Sequence, residues 1–136
     1  VSDQTGIDHF YSKAFKTGAA LHALGRPITQ GEQPFDPQNR QGVMAVSLDD
    51  LTGRFGLPFP THVKVDVDGI EDRIVKGAVN TLRDARLKTF LIEVYMHKTI
   101  AEDIKAAFFD AGFALHNADV IDYSEGIVQN LIFTRP

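Results

Sequence analysis

The sequence predicts an α/β fold built on a parallel sheet, and three observations support this prediction. Residues 63–67 form an apolar run typical of a buried strand, and a helical pattern begins directly after it. Residues 89–94 form a second apolar run, which is also followed by a helical pattern. The resulting order of strand, helix, strand, helix and strand is typical of a parallel sheet with right-handed crossovers. The chain has 136 residues, so we expect one domain spanning residues 1–136.

The first part of the chain gives weaker signals. Residues 7–11 and 41–46 are predicted strands, with turn residues in the segment between them. A helix is predicted to begin at Ser47, since its hydroxyl can cap the amino end and Asp50 follows three residues later. Gly56 is expected to end this helix.

A second helix is predicted over residues 69–83. Asp68 and Glu71 have the Asp-x-x-Glu spacing of a capping box, which would fix the amino end of this helix. Its apolar positions recur at helical spacing: Ile70, Ile74, Val75, Ala78 and Leu82.

A third helix is predicted over residues 100–111, with Gly112 as its carboxyl cap. Three phenylalanines are predicted to lie in the core: Phe108, Phe109 and Phe113. Two strands complete the predicted sheet, at residues 113–116 and 127–134.

Composition narrows the class of protein. A net charge of -4 without a Lys/Arg cluster argues against a nucleic-acid partner, and no apolar run approaches the length of a membrane span. The chain has no cysteine, which excludes a disulfide scaffold and suits the cytoplasm. It begins at Val1 rather than Met, so we expect it to be a piece of a longer protein.

Four short motifs follow one another through the middle of the chain. They are Leu48-Asp49-Asp50-Leu51, Lys64-Val65-Asp66-Val67-Asp68-Gly69-Ile70-Glu71, Lys76-Gly77-Ala78 and Leu91-Ile92-Glu93-Val94. In this order and at this spacing they resemble FkbM-type methyltransferases. The resemblance is strong over residues 41–95 and weak elsewhere. Asp68 stands where Glu is commoner in that family, and this difference keeps the charge.

The resemblance implies an S-adenosylmethionine-dependent O-methyltransferase that acts on a hydroxyl of a sugar, a polyketide or a similar small molecule. The implied fold is a Rossmann-like class I methyltransferase sheet with helices on both faces. In that fold a glycine-rich turn after the first strand holds part of the cofactor, and no such turn follows an apolar strand here. The chain is therefore expected to be the carboxyl-terminal half of the domain and to be inactive alone. Ser2 and Asp3 resemble the end of the family's third strand, which implies contact with the adenine of the cofactor.

The candidate site residues lie after the two apolar strands. Asp66 is the predicted substrate contact or proton acceptor, because open α/β sheets bind ligands at the carboxyl ends of their strands. Glu93 and His97 are predicted to support it, since a neutral imidazole on the same rim can act as a general base. Asp68 and Glu71 are the predicted substrate-binding residues, although the capping box already explains both. No metal site is predicted.

Other interpretations stay open at this point. Asp66-Val67-Asp68-Gly69 also resembles the nucleophile loop of haloacid dehalogenase-like phosphatases, in which the first Asp attacks phosphorus and the second acts as acid and base. That motif normally continues with Thr, where this chain has Ile70. A non-catalytic α/β interaction module is the second alternative. For Lys64 the simplest interpretation is a buried ion pair with Asp66 or Glu93.

The implied fold also predicts an exposed sheet edge. The strand at residues 63–67 would lie between the first strand of the fold, which is absent here, and the strand at 89–94. An unpaired edge tends to recruit another strand. We therefore expect the strand at 7–11 or the strand at 41–46 to cover it, or a homodimer to form across it.

Overall fold

The computed structural model describes residues 1–14, 22–29, 31–95, 98–123 and 126–136. The elements in chain order are β1 (Gly6–Ser12), β2 (Ala23–Leu24), β3 (Asn39–Ala45), α1 (Leu48–Gly53), β4 (His62–Val65), α2 (Glu71–Lys76), α3 (Val79–Arg83), β5 (Thr89–Tyr95), α4 (Lys98–Asp110), β6 (Ala114–Tyr123) and β7 (Gly126–Thr134). They form a three-stranded sheet in the order β2-β1-β3 and a four-stranded sheet in the order β4-β5-β7-β6. The predicted α/β class is therefore confirmed.

The four-stranded sheet is mixed rather than parallel. β4 and β5 are parallel, as predicted, whereas β7 lies between β5 and β6 and is antiparallel to both. The prediction is wrong for β7 because β6 and β7 follow each other with a short connection. Such a connection joins antiparallel strands, since parallel strands need a long crossover.

The core lies on one face of this sheet. Phe90, Ile92 and Val94 of β5 are buried and belong to the same apolar cluster as residues of the helices, including Ile74 and Phe108. The described helices therefore pack on one face, and the expectation of helices on both faces is wrong for them. The crossovers from β4 to β5 and from β5 to β6 advance in the same direction. Right-handed crossovers of this kind put their helices on the same side.

Phe109 is the exception among the predicted core phenylalanines. The rings of Phe108 and Phe113 are buried, whereas Phe109 is 50% exposed. Successive helix residues are about 100° apart around the axis, so Phe109 lies at the edge of the core, where its ring is 6.2 Å from that of Phe133. The predicted core is thus confirmed at two positions and wrong at the third.

The helix predicted over residues 69–83 is broken into α2 and α3. Gly77 ends α2, and a Cβ atom at Gly77 would lie only 2.3 Å from the backbone oxygen of Ser2. The amino-terminal segment thus packs closely against the break, which is a long-range contact that helical periodicity does not report. Elsewhere the helix predictions hold. The Ser47 hydroxyl accepts a hydrogen bond from the Asp50 N–H at the start of α1, and Gly112 follows α4 with a φ of 84°.

The predicted strands at 7–11 and 41–46 are confirmed as β1 and β3. They pair antiparallel with each other over their whole length, from Gly6↔Ala45 to Ser12↔Asn39. Among the described strands none pairs with the free edge of β4. The expectation that β1 or β3 covers this edge is therefore wrong, because the two strands pair with each other and with β2 in a separate sheet. A homodimer across the edge stays a prediction.

Candidate functional site

Asp66 lies at the carboxyl end of β4, directly after Val65. Its Oδ2 is 2.9 Å from the Nζ of Lys64, so the predicted ion pair is present. The two side chains are 51% and 64% exposed, however, so the prediction that the pair is buried is wrong. β4 is an edge strand, and Lys64 points to the face that carries none of the described helices. The hydrogen bond with Asp66 raises the pKa of Lys64 above its ordinary value.

Glu93 lies on the neighbouring strand, close to this pair. Val65 pairs with Ile92 in the register of β4 and β5, which puts Glu93 level with the residue after Val65. The pKa of Glu93 is raised mainly by burial and then by the negative charge of Asp66, while Lys64 opposes the shift. Asp66 and Glu93 therefore lie on one rim of the sheet, and the supporting role of Glu93 stays a prediction. β5 continues past Glu93 to Tyr95.

Asp68 and Glu71 do not form the predicted capping box. The residue that caps α2 is Ile70, and no side chain caps this helix end. Gly69 has a φ of 97°, a left-handed conformation that glycine adopts without strain, and this turn separates Asp68 from the helix. Asp68 instead accepts a hydrogen bond from the N–H of His22, at 3.1 Å.

Glu71 is the most deeply buried acidic side chain of this region, with 6% of its surface exposed. Its Oε1 accepts a hydrogen bond of 3.3 Å from the Gly69 N–H. Burial raises the pKa of Glu71 to about 7, and the carboxylates of Asp72 and Asp68 add to the shift, whereas the N–H groups of Glu71 and Gly69 oppose it. Glu71 thus lies beneath the rim. Its predicted substrate contact stays a prediction.

Ser2 and Asp3 lie against the break between α2 and α3. Ser2 is completely buried, and its hydroxyl donates to a carboxylate oxygen of Asp3. Asp3 also accepts a hydrogen bond from Arg73. Burial acts to raise the pKa of Asp3, but the hydrogen bonds from Ser2 and Arg73 prevail and lower it. Both side chains thus have partners within the protein.

His97, the predicted general base, lies outside the described residues. Of the other histidines, His9 contacts Arg40, and His62 contacts Thr89 through its Nδ1. Within the described ranges no three His, Cys, Asp or Glu side chains are grouped so that they could hold a metal ion. The expectation that the chain has no metal site was based on the spacing of its histidines. For the chain as a whole this expectation stays a prediction.

A cleft of about 430 Å³ separates the two sheets beside Asp66. We call it the inter-sheet cleft. Phe10 and Val43 of the three-stranded sheet line one side of it, and Asp66, Val67 and Asp68 line the other. The cleft opens where β4 ends, which is the place where open α/β sheets bind ligands.

Arg73 connects the two walls, and sequence reasoning missed it. Its guanidinium donates to Asp3 at 2.9 Å, to Asp8 of β1 at 3.2 Å and to the backbone oxygen of Leu24 in β2 at 3.2 Å. One side chain on α2 thereby contacts the amino-terminal segment and two strands of the other sheet. No local pattern signals this role, because the partners lie between 49 and 70 residues away along the chain.

Comparisons with protein-family models, with curated proteins and with solved structures found no match to this chain. Of the helices within the described residues, none has the length and apolar character needed to cross a membrane. The local geometry of the rim and the cleft therefore carries any functional proposal.

Proposed function

We propose that this chain provides the acceptor side of an S-adenosylmethionine-dependent O-methyltransferase with a Rossmann-like sheet. The observation that carries the proposal is the position of Asp66. Its carboxylate lies at the carboxyl end of β4, half exposed, on the wall of the inter-sheet cleft and close to Glu93. The parallel pairing of β4 with β5, and the edge of β4 with which no other described strand pairs, also agree with the fold that the four sequence motifs imply.

The residues present fit the positively charged sulfonium of the implied cofactor better than its adenine. Carboxylates such as Asp66 and Glu93 attract a positive charge and accept hydrogen bonds from hydroxyl groups. Ser2 and Asp3 do not fit the adenine contact implied by the resemblance, because Ser2 is buried and Asp3 is bonded to Arg73. When bound, the cofactor would supply a methyl group activated by the sulfonium charge.

Asp66 has the role of proton acceptor in this proposal. A substrate hydroxyl in the cleft would donate a hydrogen bond to the carboxylate and lose its proton to it as the oxygen is methylated. Lys64 keeps Asp66 in place through their ion pair. Glu93 lies beside this pair on the neighbouring strand. The cleft walls also increase the rate of methyl transfer, because they align the substrate hydroxyl for the reaction.

Methyl transfer from isotopically labelled S-adenosylmethionine tests the proposal. The full-length protein is incubated with the labelled cofactor and a panel of hydroxylated small molecules, and we expect label in a product ether. Magnesium-dependent release of phosphate from a generic phosphate ester, without methyl transfer, would instead support the phosphatase alternative. Absence of both activities across the panel would favour a non-catalytic module.

Residues 1–136 alone are expected to bind S-adenosylmethionine weakly. Too few groups in the described cleft can contact the cofactor to offset the entropy lost on association. Isothermal titration calorimetry of the isolated chain checks this expectation. Micromolar binding would mean that these residues contain a cofactor site, and that the assignment of this chain to the acceptor side is wrong.

A further inference from the structure

One wall of the inter-sheet cleft is apolar. Phe10 and Val43 lie on the same face of the three-stranded sheet as Asp8, because Asp8 pairs directly with Val43 and Phe10 is two residues from Asp8. Asp8 bonds to Arg73 of α2, so this face is turned toward α2 and the loop before it. The ring of Phe10 lies 5.2 Å from the ring of His22, which extends the apolar and aromatic wall.

The opposite wall is polar and acidic. Asp66 contributes a half-exposed carboxylate, and Val67 lies beside it. Among the described residues that line the cleft, none is Lys or Arg. Lys64, the nearest cation along the chain, is bound to Asp66. Among the described side chains that line the cleft, a negatively charged ligand therefore meets the carboxylate of Asp66, and the cation next to it, Lys64, is already bound to that carboxylate.

Polar contacts connect the two walls. Arg73 bonds to Asp8 and to the Leu24 backbone, which fixes the three-stranded sheet to the start of α2. The N–H of His22 donates to Asp68, which makes a second connection beside the cleft. The space of about 430 Å³ between the connected walls falls within the range of small-molecule sites.

We infer that the inter-sheet cleft binds an uncharged molecule that carries hydroxyl groups on an apolar body. The apolar part packs against Phe10 and Val43, and a hydroxyl donates to the carboxylate of Asp66. The inference rests on the proposed function, and it narrows the acceptor from any hydroxylated metabolite to a neutral amphipathic one. Bare sugars lack the apolar part, and anionic sugars or nucleotides are repelled by the acidic wall.

Binding of hexyl β-D-glucoside, measured by two-dimensional NMR without any methyl donor, tests the inference. The backbone amides of Val43, Ala45 and Val67 are expected to shift and to saturate in the millimolar range. Glucose lacks the alkyl chain, and hexyl β-D-glucuronide carries a carboxylate. Both are expected to bind at least about tenfold more weakly, because glucose loses the contact with Phe10 and Val43, and the carboxylate of the glucuronide is repelled by that of Asp66.

Two variants test the contribution of each wall to binding. Phe10→Ala should weaken the glucoside severalfold, and the matched Ile7→Ala should not, since Ile7 points to the opposite face of β1 and is exposed. Asp66→Asn should weaken the glucoside while improving the glucuronide, because the repulsion is removed. Unchanged resonances in β5 show that each variant is folded. If Phe10→Ala is not folded, the Asp66→Asn reversal decides the test alone.

The inference is wrong if the glucuronide binds as well as the glucoside, if the shifts map elsewhere, or if no saturable shift occurs. A reversal of preference in Asp66→Asn supports it. No turnover is measured, so failure of methyl transfer in the separate assay leaves this result unchanged. Conversely, methyl transfer to a charged acceptor would support the proposed function and contradict this inference.

Discussion

The two sheets of this protein are stabilised by different interactions. In the four-stranded sheet, Phe108 packs against Phe90, Phe113 and Phe133, and its ring stacks on that of Phe133 at 4.1 Å. In the three-stranded sheet, by contrast, the buried residues are small: Ser12, Ala23 and Ala45. That sheet is attached to the rest of the protein by polar contacts, above all those of Arg73.

This difference has a consequence for the inter-sheet cleft. The wall that carries Asp66 belongs to the well-packed sheet and has a fixed position, whereas the wall that carries Phe10 and Val43 depends on hydrogen bonds and ion pairs. Regions with few buried apolar contacts open more easily than packed cores. We therefore expect the reactive carboxylate to be rigid and the apolar wall to adapt to the ligand.

Truncation of the aromatic core gives the largest expected effect. Phe108→Ala should lower the free energy of unfolding by about 3–5 kcal/mol, because it removes a fully buried ring from the packed sheet. Phe109→Ala is the matched control one residue away. Phe109 is 50% exposed, so its loss should have much less effect. Urea denaturation measures both, and equal losses would contradict the one-sided core.

Glu71 gives the next largest effect, and it depends on pH. Its pKa is raised from 4.5 to about 7 in the folded protein, so the folded state binds more protons than the unfolded state between these values. Stability therefore falls as the pH rises through this window, by about 3 kcal/mol in all. Glu71→Gln keeps the hydrogen bond to Gly69 without the charge. It should match the wild type at pH 4 and be more stable at pH 8.

Urea denaturation of Glu71→Gln and wild type at both pH values checks this expectation. Above the folded pKa of Glu71, its ionised carboxylate lowers the free energy of unfolding of the wild type. Below the ordinary pKa of 4.5 this effect vanishes, so the variant should differ from the wild type only at the higher pH. A variant that is less stable than wild type at pH 8 would mean that the carboxylate has a stabilising partner when ionised.

Loss of the Arg73 contacts should have a smaller and localised effect. Arg73→Met keeps the apolar stem but leaves Asp3 and Asp8 without their cation, at a cost of about 1–3 kcal/mol. Amide hydrogen exchange should become faster in β1 and β2 and stay slow in β5. Arg83→Met is the control, since Arg83 is exposed on α3. Faster exchange throughout the protein would show that the two sheets unfold as one unit.

The sequence predicted those elements whose signals are local. The Ser47 cap, the strand around Phe90 and the helix that ends at Gly112 depend on residues close together along the chain, and all three are confirmed. The break between α2 and α3 could not be predicted, because it depends on the close approach of Ser2 to Gly77.

The candidate site was predicted only in part, because some of its contacts join residues far apart along the chain. Asp66 and Glu93 lie on one rim because parallel neighbouring strands end at the same side of a sheet, which strand order alone suggests. The second wall of the cleft comes from β1 and β3, and its attachment through Arg73 is a long-range contact. The prediction of a capping box at Asp68 was wrong because Gly69 turns the chain before the helix begins.

Asp66→Asn tests the central claim most directly. The exchange keeps the shape of the side chain and removes the basic oxygen, and the ion pair that it disrupts is exposed, so stability should hardly change. In the full-length protein we expect the melting temperature of wild type and a loss of methyl transfer of at least about 100-fold. Wild-type turnover in this variant, or a loss that only follows reduced stability, would contradict the assignment of Asp66 as proton acceptor.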